Sequence, residues 1–460
     1  MHWLFLGIVL VIVFIFSCSP KQETFRGNPA YDSLAVKMYS TALSSGQAYS
    51  MLTDLTTNVG TRLSGSPGME KAVTWAKLQM ESLGFDKVWL EPVMVPHWIR
   101  GDVEELTVVG PETKRLTITA LGGSRPTPKE GITAEVIEVQ SFDELKALGE
   151  TARGKIIFFN RPMDRSLITP FEAYGGAVEQ RGKGAIEAAR AGGVAAIVRS
   201  MTMRHDDVPH TGAMRYNDSV PRVPAAAISL VGADVLSQLL AKNKKVTVNL
   251  KLNCDTLPDV ESFNVIGEIT GTEKPNEVVV IGGHLDSWDK GQGAHDDGAG
   301  CVQSIEAIRL LKSLGIKPKR TIRAVLFANE ENGLRGAKEY AAKDRQGERH
   351  IAAIESDGGG STPKGFDVES DSLAFPKIAR WAYLFDPIDA DNIKKDGSGA
   401  DVGELFKIGV PAIGLRVDPH RYFDYHHSDH DVLENVNERE LELGAAAMAI
   451  LAYVLAQEGI

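Results

Sequence analysis

Short apolar runs alternate with stretches of helical periodicity from about Glu261 to the C-terminus. Several of the runs are rich in β-branched residues: Val278–Ile281, Ile322–Ala328, Ile351–Ile354 and Ala412–Leu415. Such runs are typical of parallel strands that are covered on both faces. Strands that alternate with helices predict an α/β fold with a mostly parallel central sheet flanked by helices.

The chain before this region has two further patterns. From about Pro29 to Trp98, helical spacing before Gly84 gives way to strand-like alternation. From about Val103 to Leu252 there are short strands, such as residues 155–159, and an Ala-rich helix at residues 184–191. We therefore predict a main domain in two parts, residues 29–102 and 259–460, interrupted by a smaller β-rich domain at residues 103–258. Its histidines, His205 and His210, are placed in a polar loop.

The N-terminal sequence has the pattern of an export signal. The apolar run Leu4–Phe16 is shorter than the roughly 20 residues of a membrane span and is typical of a secretory signal. Residues 15–18 resemble a bacterial lipobox, which predicts a signal peptide at 1–18, a lipidated Cys18 and a polar tether at 19–28. The segment before the run lacks Lys and Arg, so a plain signal peptide or an uncleaved anchor are the alternatives. The expected location is outside the cytoplasm, on a bacterial membrane facing the periplasm or the exterior, with the N-terminal lipid as the only attachment.

Charge and cysteine content exclude some classes of function. The formal net charge of the 460-residue chain is −11, which argues against nucleic-acid binding because phosphate contacts require clustered Lys and Arg. Only Cys254 and Cys301 remain after processing, and no CxxC motif occurs. A cysteine zinc site or a dithiol redox site is therefore not expected. Cys301 is predicted to be a buried residue in the first turns of a helix.

Histidines and carboxylates follow the predicted strands of the C-terminal region. These residues are His284, Asp286, the pair Asp296 and Asp297, the pair Glu330 and Glu331, Asp357, and His426 and His427. Open α/β sheets place their sites at the carboxyl ends of strands. We therefore expect these groups to converge at one edge of the sheet.

Carboxylates that converge without a cation raise one another's pKa. A divalent metal removes this repulsion, and a mixed set of imidazoles and carboxylates suits zinc. A set larger than four ligands suits two metals, which in hydrolases bridge a nucleophilic water. The Glu330–Glu331 pair can supply one ligand and one free carboxylate that accepts a proton from that water.

Each feature alone has an ordinary explanation. The glutamate pair could be solvated, His284 could be a loop histidine, and residues 426–431 could form a polar loop or an adventitious metal tract. Residues 291–293 could be mistaken for a phosphate-binding turn, but no GxGxxG or GxxxxGK[ST] motif follows. The ordered series of strand ends favours the metal site.

Four stretches of the C-terminal region, together with an early stretch, resemble a known family. They are HLDSWD at 284–289, GQGAHDDG at 291–298, FANEENGLRG at 327–336, ESDGGG at 355–360 and GTRLSGS at 60–66. They are similar to the co-catalytic zinc exopeptidases that include bacterial leucyl aminopeptidases and glutamate carboxypeptidases. The middle block resembles the protease-associated domain that is inserted in this family.

The resemblance implies a site with two zinc ions per chain. His284 and Asp357 would bind one ion, Glu331 and His427 would bind the other, and Asp296 would bridge both.

The resemblance also implies two supporting roles. Glu330 would be the general base and would later protonate the leaving amine. Asp286 would orient the imidazole of His284, as carboxylates commonly do next to metal ligands.

Two of the metal-ligand assignments choose one residue of an adjacent pair. His427 is chosen over His426 because the family's ligand directly precedes Ser or Thr, and Asp296 is chosen over Asp297 because the bridging carboxylate is the first of the pair. His295 is expected to be a bystander.

The function implied is hydrolysis of dipeptides or short peptides by an exopeptidase, and a homodimer is suggested. The alternatives are a metal-binding, peptide-recognition lipoprotein without turnover and a zinc enzyme like glutaminyl cyclase. The sequence does not distinguish amino-terminal from carboxy-terminal preference. Arg335, Arg416 and Arg421 are candidates for binding a substrate carboxylate, although each also suits a structural role.

Overall fold

A computed structural model describes residues 27–110, 113–243 and 245–460. The predicted signal peptide, Cys18 and most of the tether lie outside the described residues. The described strands are β1 Lys87–Ile99, β2 Glu104–Val109, β3 Lys114–Leu116, β4 Ile118–Ala120, β5 Ile132–Val139, β6 Ile156–Phe159, β7 Ala195–Arg199, β8 Ala225–Ile228, β9 Thr247–Leu252, β10 Asp255–Ile269, β11 Lys274–His284, β12 Arg320–Phe327, β13 Arg349–Glu355, β14 Pro363–Glu369, β15 Asn392–Lys395 and β16 Ala412–Val417.

Helices connect and cover these strands. They are α1 Pro29–Ser45, α2 Ala48–Asp54, α3 Pro67–Ser82, α4 Phe142–Leu148, α5 Pro170–Ala177, α6 Glu179–Arg190, α7 Leu230–Lys242, α8 Ala299–Ser313, α9 Arg335–Ala342, α10 Ala374–Ala379, α11 Ala400–Phe406, α12 Tyr422–Tyr425 and α13 Glu438–Glu458. Shorter turns are π-helical at Leu55–Val59 and Ala294–Gly298, and 3₁₀-helical at Gly149–Ala152, Ala382–Ile388 and Leu433–Asn435.

The main sheet has the strand order β1-β10-β12-β11-β13-β16-β14-β15. The four strands predicted from apolar runs are β11, β12, β13 and β16, and they pair in parallel at its centre. The β1–β10, β10–β12 and β14–β16 pairings are antiparallel. The predicted α/β fold is confirmed, with parallel pairing at the centre and mixed pairing towards the edges.

Helices α8 and α13 pack together in the largest apolar core of the main domain. Helix α13 is long and apolar enough to cross a membrane, but most of its residues are buried inside the protein. Helix α13 has apolar residues around most of its circumference because it is buried on several sides in this core.

A second sheet is inserted between β1 and β10, with the strand order β3-β2-β9-β5-β6-β7-β8-β4. The chain returns to the main sheet at Asp255, four residues before the predicted start of the second part at residue 259, because Asp255 already pairs with Ile99 of β1. The two connections lie side by side, and the Val103 amide donates to Asn253 Oδ1 over 2.8 Å. The likeness of the inserted domain to a protease-associated domain stays a prediction.

The inserted domain packs directly on the main domain. The buried rings of Trp98 and Trp288 meet edge to face at 6.5 Å within the core of the second sheet. Tyr422 and Phe423, from α12, belong to the other core of the inserted domain. Both contacts lie next to the carboxyl edge of the main sheet, so the inserted domain forms a wall of that region.

Candidate metal centre

The carboxyl ends of three neighbouring strands bring the predicted residues together. β11 ends at His284, β12 is followed by Glu330 and Glu331, and β13 is followed by Asp357. Asn329 turns the chain after β12 with a φ of 66°, in the left-handed region that Asn tolerates better than most residues. The register of the parallel strands therefore sets the spacing of the site.

One group of side chains is centred on His284. Its Nε2 lies 3.1 Å from Asp296 Oδ1 and 3.4 Å from Asp357 Oδ1. Its Nδ1 lies 2.9 Å from the Asp286 carbonyl and must donate to it. Nε2 is therefore the nitrogen that faces the carboxylates and that carries the lone pair of His284 whenever the ring is neutral.

A second group is centred on His427. Its Nε2 lies 3.0 Å from Glu331 Oε2 and 3.2 Å from Asp296 Oδ2. His426 stacks on His427 with ring centroids 3.5 Å apart, but its Nε2 is 3.9 Å from Asp296 Oδ2. Asp296 thus joins the two groups, with one oxygen facing each histidine, and the distances favour His427 over His426.

The side chains present fit a divalent metal. Asp296 Oδ2 and Glu331 Oε1 are buried without a hydrogen-bond partner, an arrangement that is costly unless a cation compensates it. Two imidazoles and three carboxylates also match the ligand preferences of zinc.

The electrostatics show how strongly these groups depend on one another. Burial would raise the pKa of Asp296, but the close contacts and charges of His284 and His427 outweigh that effect and hold the pKa well below its ordinary value. Burial and the charge of Asp296 raise the pKa of Glu331 to about 7. Burial alone would lower the pKa of His427, but Glu331 and Asp296 raise it to about 10.

Glu330 lies in the same group of charges but is not held by a histidine. Burial, with contributions from Asp357 and Glu331, raises the pKa of its carboxyl well above the ordinary value, against the lowering effect of His284. Its backbone N–H donates to Asp286 Oδ1 over 3.0 Å. A raised pKa makes a carboxylate a stronger base, which suits it to accept and later return a proton.

Asp286 supports the site differently from the expectation. Its carboxylate Oδ1 is 3.9 Å from His284 Nδ1, and its backbone carbonyl is the closer partner of that ring. The carboxylate instead accepts hydrogen bonds from the backbone N–H groups of Glu330 and Glu331 and from Ser64 Oγ. It therefore fixes the chain that carries the two glutamates.

The neighbours of Asp296 have other partners. Asp297 accepts from the backbone N–H groups of His284 and Gly300 at 3.0 Å and 2.9 Å. His295 Nδ1 accepts from the Gly360 N–H, and its Nε2 lies 3.1 Å from the Asn435 carbonyl. Both ring nitrogens of His295 are thus occupied away from the site.

The early stretch 60–66 contributes supporting residues that no periodicity indicated. The buried Arg62 donates to the carbonyls of Leu285, Gln292 and Gly293. It therefore ties the loop after β11 together from beneath, while Ser64 binds Asp286. Its resemblance to the family motif was the only signal in the sequence.

The inserted domain also contacts the site, which the sequence did not indicate. His210 lies in a loop, as expected, but it is 1% exposed and its Nδ1 lies 2.7 Å from the His426 carbonyl. The Thr211 N–H donates to the His427 carbonyl over 2.9 Å, and Arg181 Nη1 lies 3.4 Å from His427 Nδ1. The sequence did not indicate this contact because only the packing of the two domains buries the polar segment.

The candidate carboxylate-binding arginines are engaged elsewhere. Arg335 pairs with Asp259, and Arg421 lies over the ring of Tyr425. Arg416 pairs with Asp367 at the edge of a cavity that adjoins Asp357. Cys301 is buried as predicted and donates to the His284 carbonyl.

Comparison with known protein families and sequences identifies related proteins. The profile of peptidase family M28 matches residues 264–454. Carboxypeptidase Q from Bos taurus is 36% identical over 469 residues, which cover 99% of this chain and 97% of that protein. Carboxypeptidase Q from Homo sapiens is 38% identical over 411 residues, which cover 89% of this chain and 85% of that protein. The motifs of this chain also resemble carboxypeptidase Q, which is also called plasma glutamate carboxypeptidase. The two relatives confirm that resemblance.

Solved structures give the same result for the fold. A peptidase M28 precursor from Shewanella amazonensis SB2B superposes with a TM-score of 0.90 at 37% identity, covering 94% of this chain and 98% of that one. A zinc aminopeptidase from Bacillus subtilis superposes with a TM-score of 0.65 at 23% identity, covering 89% of this chain and 94% of that one. At that identity the second likeness shows the fold alone.

Proposed function

The chain belongs to peptidase family M28, and from this premise we propose that it is an exopeptidase that hydrolyses dipeptides or short peptides at two zinc ions. Membership of the family makes it a zinc metallopeptidase. The number of ions, the residue roles and the substrate size are the parts that we propose.

The observation that carries the proposal is the shared carboxylate of Asp296. Ligands about 2 Å from a tetrahedral zinc ion are about 3.3 Å from one another. The two histidines lie 3.1 and 3.2 Å from Asp296, and 3.4 and 3.0 Å from Asp357 and Glu331, and these four nitrogen–oxygen separations match this spacing. We assign His284 and Asp357 to one ion, Glu331 and His427 to the other, and Asp296 to both.

Zinc held by these residues would supply a Lewis acid that polarises the scissile carbonyl and makes water a better nucleophile at neutral pH. Glu330 accepts the proton from the attacking water and delivers it to the leaving amine. Its carboxyl is suited to both steps because burial and neighbouring carboxylates bring its pKa up from the ordinary value. Asp286 keeps the Glu330 and Glu331 backbone in place.

The names of the relatives support peptide substrates without fixing the end that is cleaved. The related proteins are described as carboxypeptidase Q and as a zinc aminopeptidase. The expected substrate partner is a short peptide with a free terminus close to the scissile bond.

We further propose that the chain is exported and anchored through a lipid on Cys18. The short apolar run Leu4–Phe16 and the lipobox-like residues 15–18 support this, and the Shewanella relative is described as a precursor. Metabolic labelling with a radioactive fatty acid tests the anchor, and a Cys18→Ser variant should be exported without label. A homodimer stays a prediction, which light scattering of the purified protein tests.

Metal content and turnover together test the catalytic proposal. We expect about two zinc ions per chain by mass spectrometry, hydrolysis of a dipeptide panel, loss of turnover with a chelator and recovery with zinc. A tripeptide set with either terminus blocked then identifies the preferred end. Peptide binding without turnover would support a recognition lipoprotein instead, and cyclisation of N-terminal glutamine would support a cyclase.

A further inference from the structure

The segment 428–431, directly after the proposed ligand His427, carries two carboxylates that are not among the proposed ligands. Asp429 is exposed, and its Oδ1 accepts from the Gly291 N–H over 3.3 Å. Asp431 is buried, with 3% of its surface exposed. A carboxylate that is buried next to a metal centre without binding a proposed ion needs another explanation.

The carboxylate of Asp431 binds the turn that carries the bridging side chain. Its Oδ1 accepts from the His295 N–H over 2.6 Å, and its Oδ2 accepts from the Asp296 N–H over 3.1 Å. One oxygen thus serves each donor, and both N–H groups are satisfied in the protein interior. Loss of either oxygen would leave a buried backbone donor without its partner, which is unfavourable.

The backbone around Asp431 is joined to the loop that precedes Asp296. The Asp431 carbonyl accepts from the Gln292 N–H over 2.7 Å. The Gln292 side chain in turn accepts from the Leu433 N–H over 2.9 Å. The segment that carries His427 therefore also determines where the peptide of Asp296 lies.

Carboxylates that hold the backbone of a proposed ligand recur around this centre. Asp286 accepts from the N–H groups of the two glutamates after β12, and Asp297 accepts from that of His284. Asp431 makes the corresponding contact with Asp296. Groups that orient metal ligands in this way typically contribute about 10- to 100-fold to metal affinity.

We propose that Asp431 is the positioning residue of the bridging carboxylate and thereby sets the relative position of the two metal sites. This inference rests on the proposed two-zinc function. Asp296 directs Oδ1 at His284 and Oδ2 at His427, so a rotation of its peptide displaces both oxygens at once. Loss of Asp431 should therefore weaken both metal sites together, whereas loss of a contact to a single ligand should weaken one.

Asp431→Asn tests the proposal on the full chain, loaded with cobalt(II) in place of zinc. The asparagine keeps the size of the side chain but directs its amide N–H₂ at one of the two backbone donors. Two cobalt ions that share a carboxylate are magnetically coupled, and electron paramagnetic resonance detects the coupling. We expect coupled ions in the wild type and loss of the coupling in the variant. Competition with a chromogenic chelator should show zinc affinity that is lower by about 10- to 100-fold at both sites.

Asp429→Asn is the matched control, because Asp429 lies on the same segment but accepts from Gly291 rather than from a proposed ligand. Thermal denaturation of the metal-free proteins measures folding separately. A merely structural role of Asp431 would lower the Tm of the metal-free variant and leave the coupling in its folded fraction unchanged.

Coupling and affinity that stay at the wild-type level in Asp431→Asn, or an equal effect of Asp429→Asn, would overturn the assignment. If the wild-type protein binds fewer than two cobalt ions per chain, or two ions without coupling, the proposed metal centre fails as well. Wild-type coupling that persists in Asp431→Asn rejects only the positioning role.

Discussion

At the scale of single residues, the two adjacent glutamates after β12 have different environments. Glu331 Oε2 lies 3.0 Å from His427 Nε2, whereas Glu330 has no histidine partner and a pKa raised well above its ordinary value. The chain geometry at Asn329, together with Asp286, holds both backbone N–H groups. One strand end can thus supply a metal ligand and a free proton acceptor.

Replacing the proposed base should separate binding from turnover. Glu330→Gln keeps the size of the side chain and removes its ability to accept a proton, so we expect unchanged zinc content and turnover that is slower by at least about 100-fold. Metal analysis and dipeptide kinetics measure the two effects. Glu339→Gln, an exposed residue on α9, is the control. Retained turnover in Glu330→Gln would assign the proton transfer to another group.

A buried carboxyl far from the site gives a pH prediction. Glu442 of α13 is 4% exposed, and burial raises its pKa to about 7 although the Tyr49 N–H donates to it. Because the folded-state pKa is raised, the folded chain binds this proton more tightly than the unfolded chain. Stability is therefore lost as pH rises from about 4.5 towards 7, by roughly 3 kcal/mol in total.

Glu442→Gln should remove this penalty. We expect a higher Tm than wild type at pH 8 and little difference at pH 5, because an amide oxygen can still accept from Tyr49. Thermal denaturation at both pH values, with Glu339→Gln as a control, measures it. An equal shift at both pH values would show that the effect does not come from ionisation.

The predictability of the site from sequence differs from residue to residue. His284, Glu331 and Asp357 follow apolar runs, and strand register alone brings such positions together. Arg62, Thr211 and His210 could not be found in this way, because their role consists of contacts to backbone carbonyls of distant segments. Hydrogen bonds of this kind depend on tertiary position and leave no periodic pattern in the sequence.

At the scale of elements, the central strands were predictable and the sheet edges were not. Apolar runs, several of them rich in β-branched residues, identify β11, β12 and β13 because both faces of these strands are buried. The direction of β10 and β14 depends on which neighbour they pair with, and the local sequence carries no signal for that choice. The return of the chain to the main sheet at Asp255 was not predicted for the same reason, since it depends on pairing with β1.

The segment of the inserted domain around His210 should affect the metal centre. His427 has a φ of 60°, an unfavourable conformation for most residues other than glycine, and His210 and Thr211 hold the carbonyls of His426 and His427. We expect His210→Leu to weaken binding of one zinc ion by about 10- to 100-fold, as the loss of groups that orient ligands does. Competition with a chromogenic chelator measures this affinity.

His205→Leu is the control for this variant, since His205 is exposed and pairs with Asp234 within the inserted domain. Zinc affinity that is unchanged in His210→Leu would show that the His426–His427 segment keeps its conformation without the His210 side-chain contact.

At the scale of the whole molecule, the candidate metal centre places several carboxylates close together in the interior of a well-packed fold. Asp296 and Glu331 have buried oxygens without partners, and bound metal should therefore stabilise the folded state. We expect chelation to lower the Tm by several degrees and added zinc to restore it, measured by scanning calorimetry. Asp296→Asn should reduce this response because it removes the charge that the two proposed ions would share. A Tm independent of zinc would contradict the ligand assignment.

The side-by-side connections of the inserted domain also have a consequence for the order of folding. Ile99 and Asp255 pair in the β1–β10 ribbon although the whole second sheet separates them along the chain. Closing so long a loop of unfolded chain is entropically unfavourable, but an inserted domain that is already folded presents its two ends next to each other. We expect this domain to fold first and the main sheet to form around its ends. Ile197→Ala, in the core of the second sheet, should then slow the recovery of zinc binding after dilution from denaturant, although Ile197 is neither in the main sheet nor among the proposed ligands.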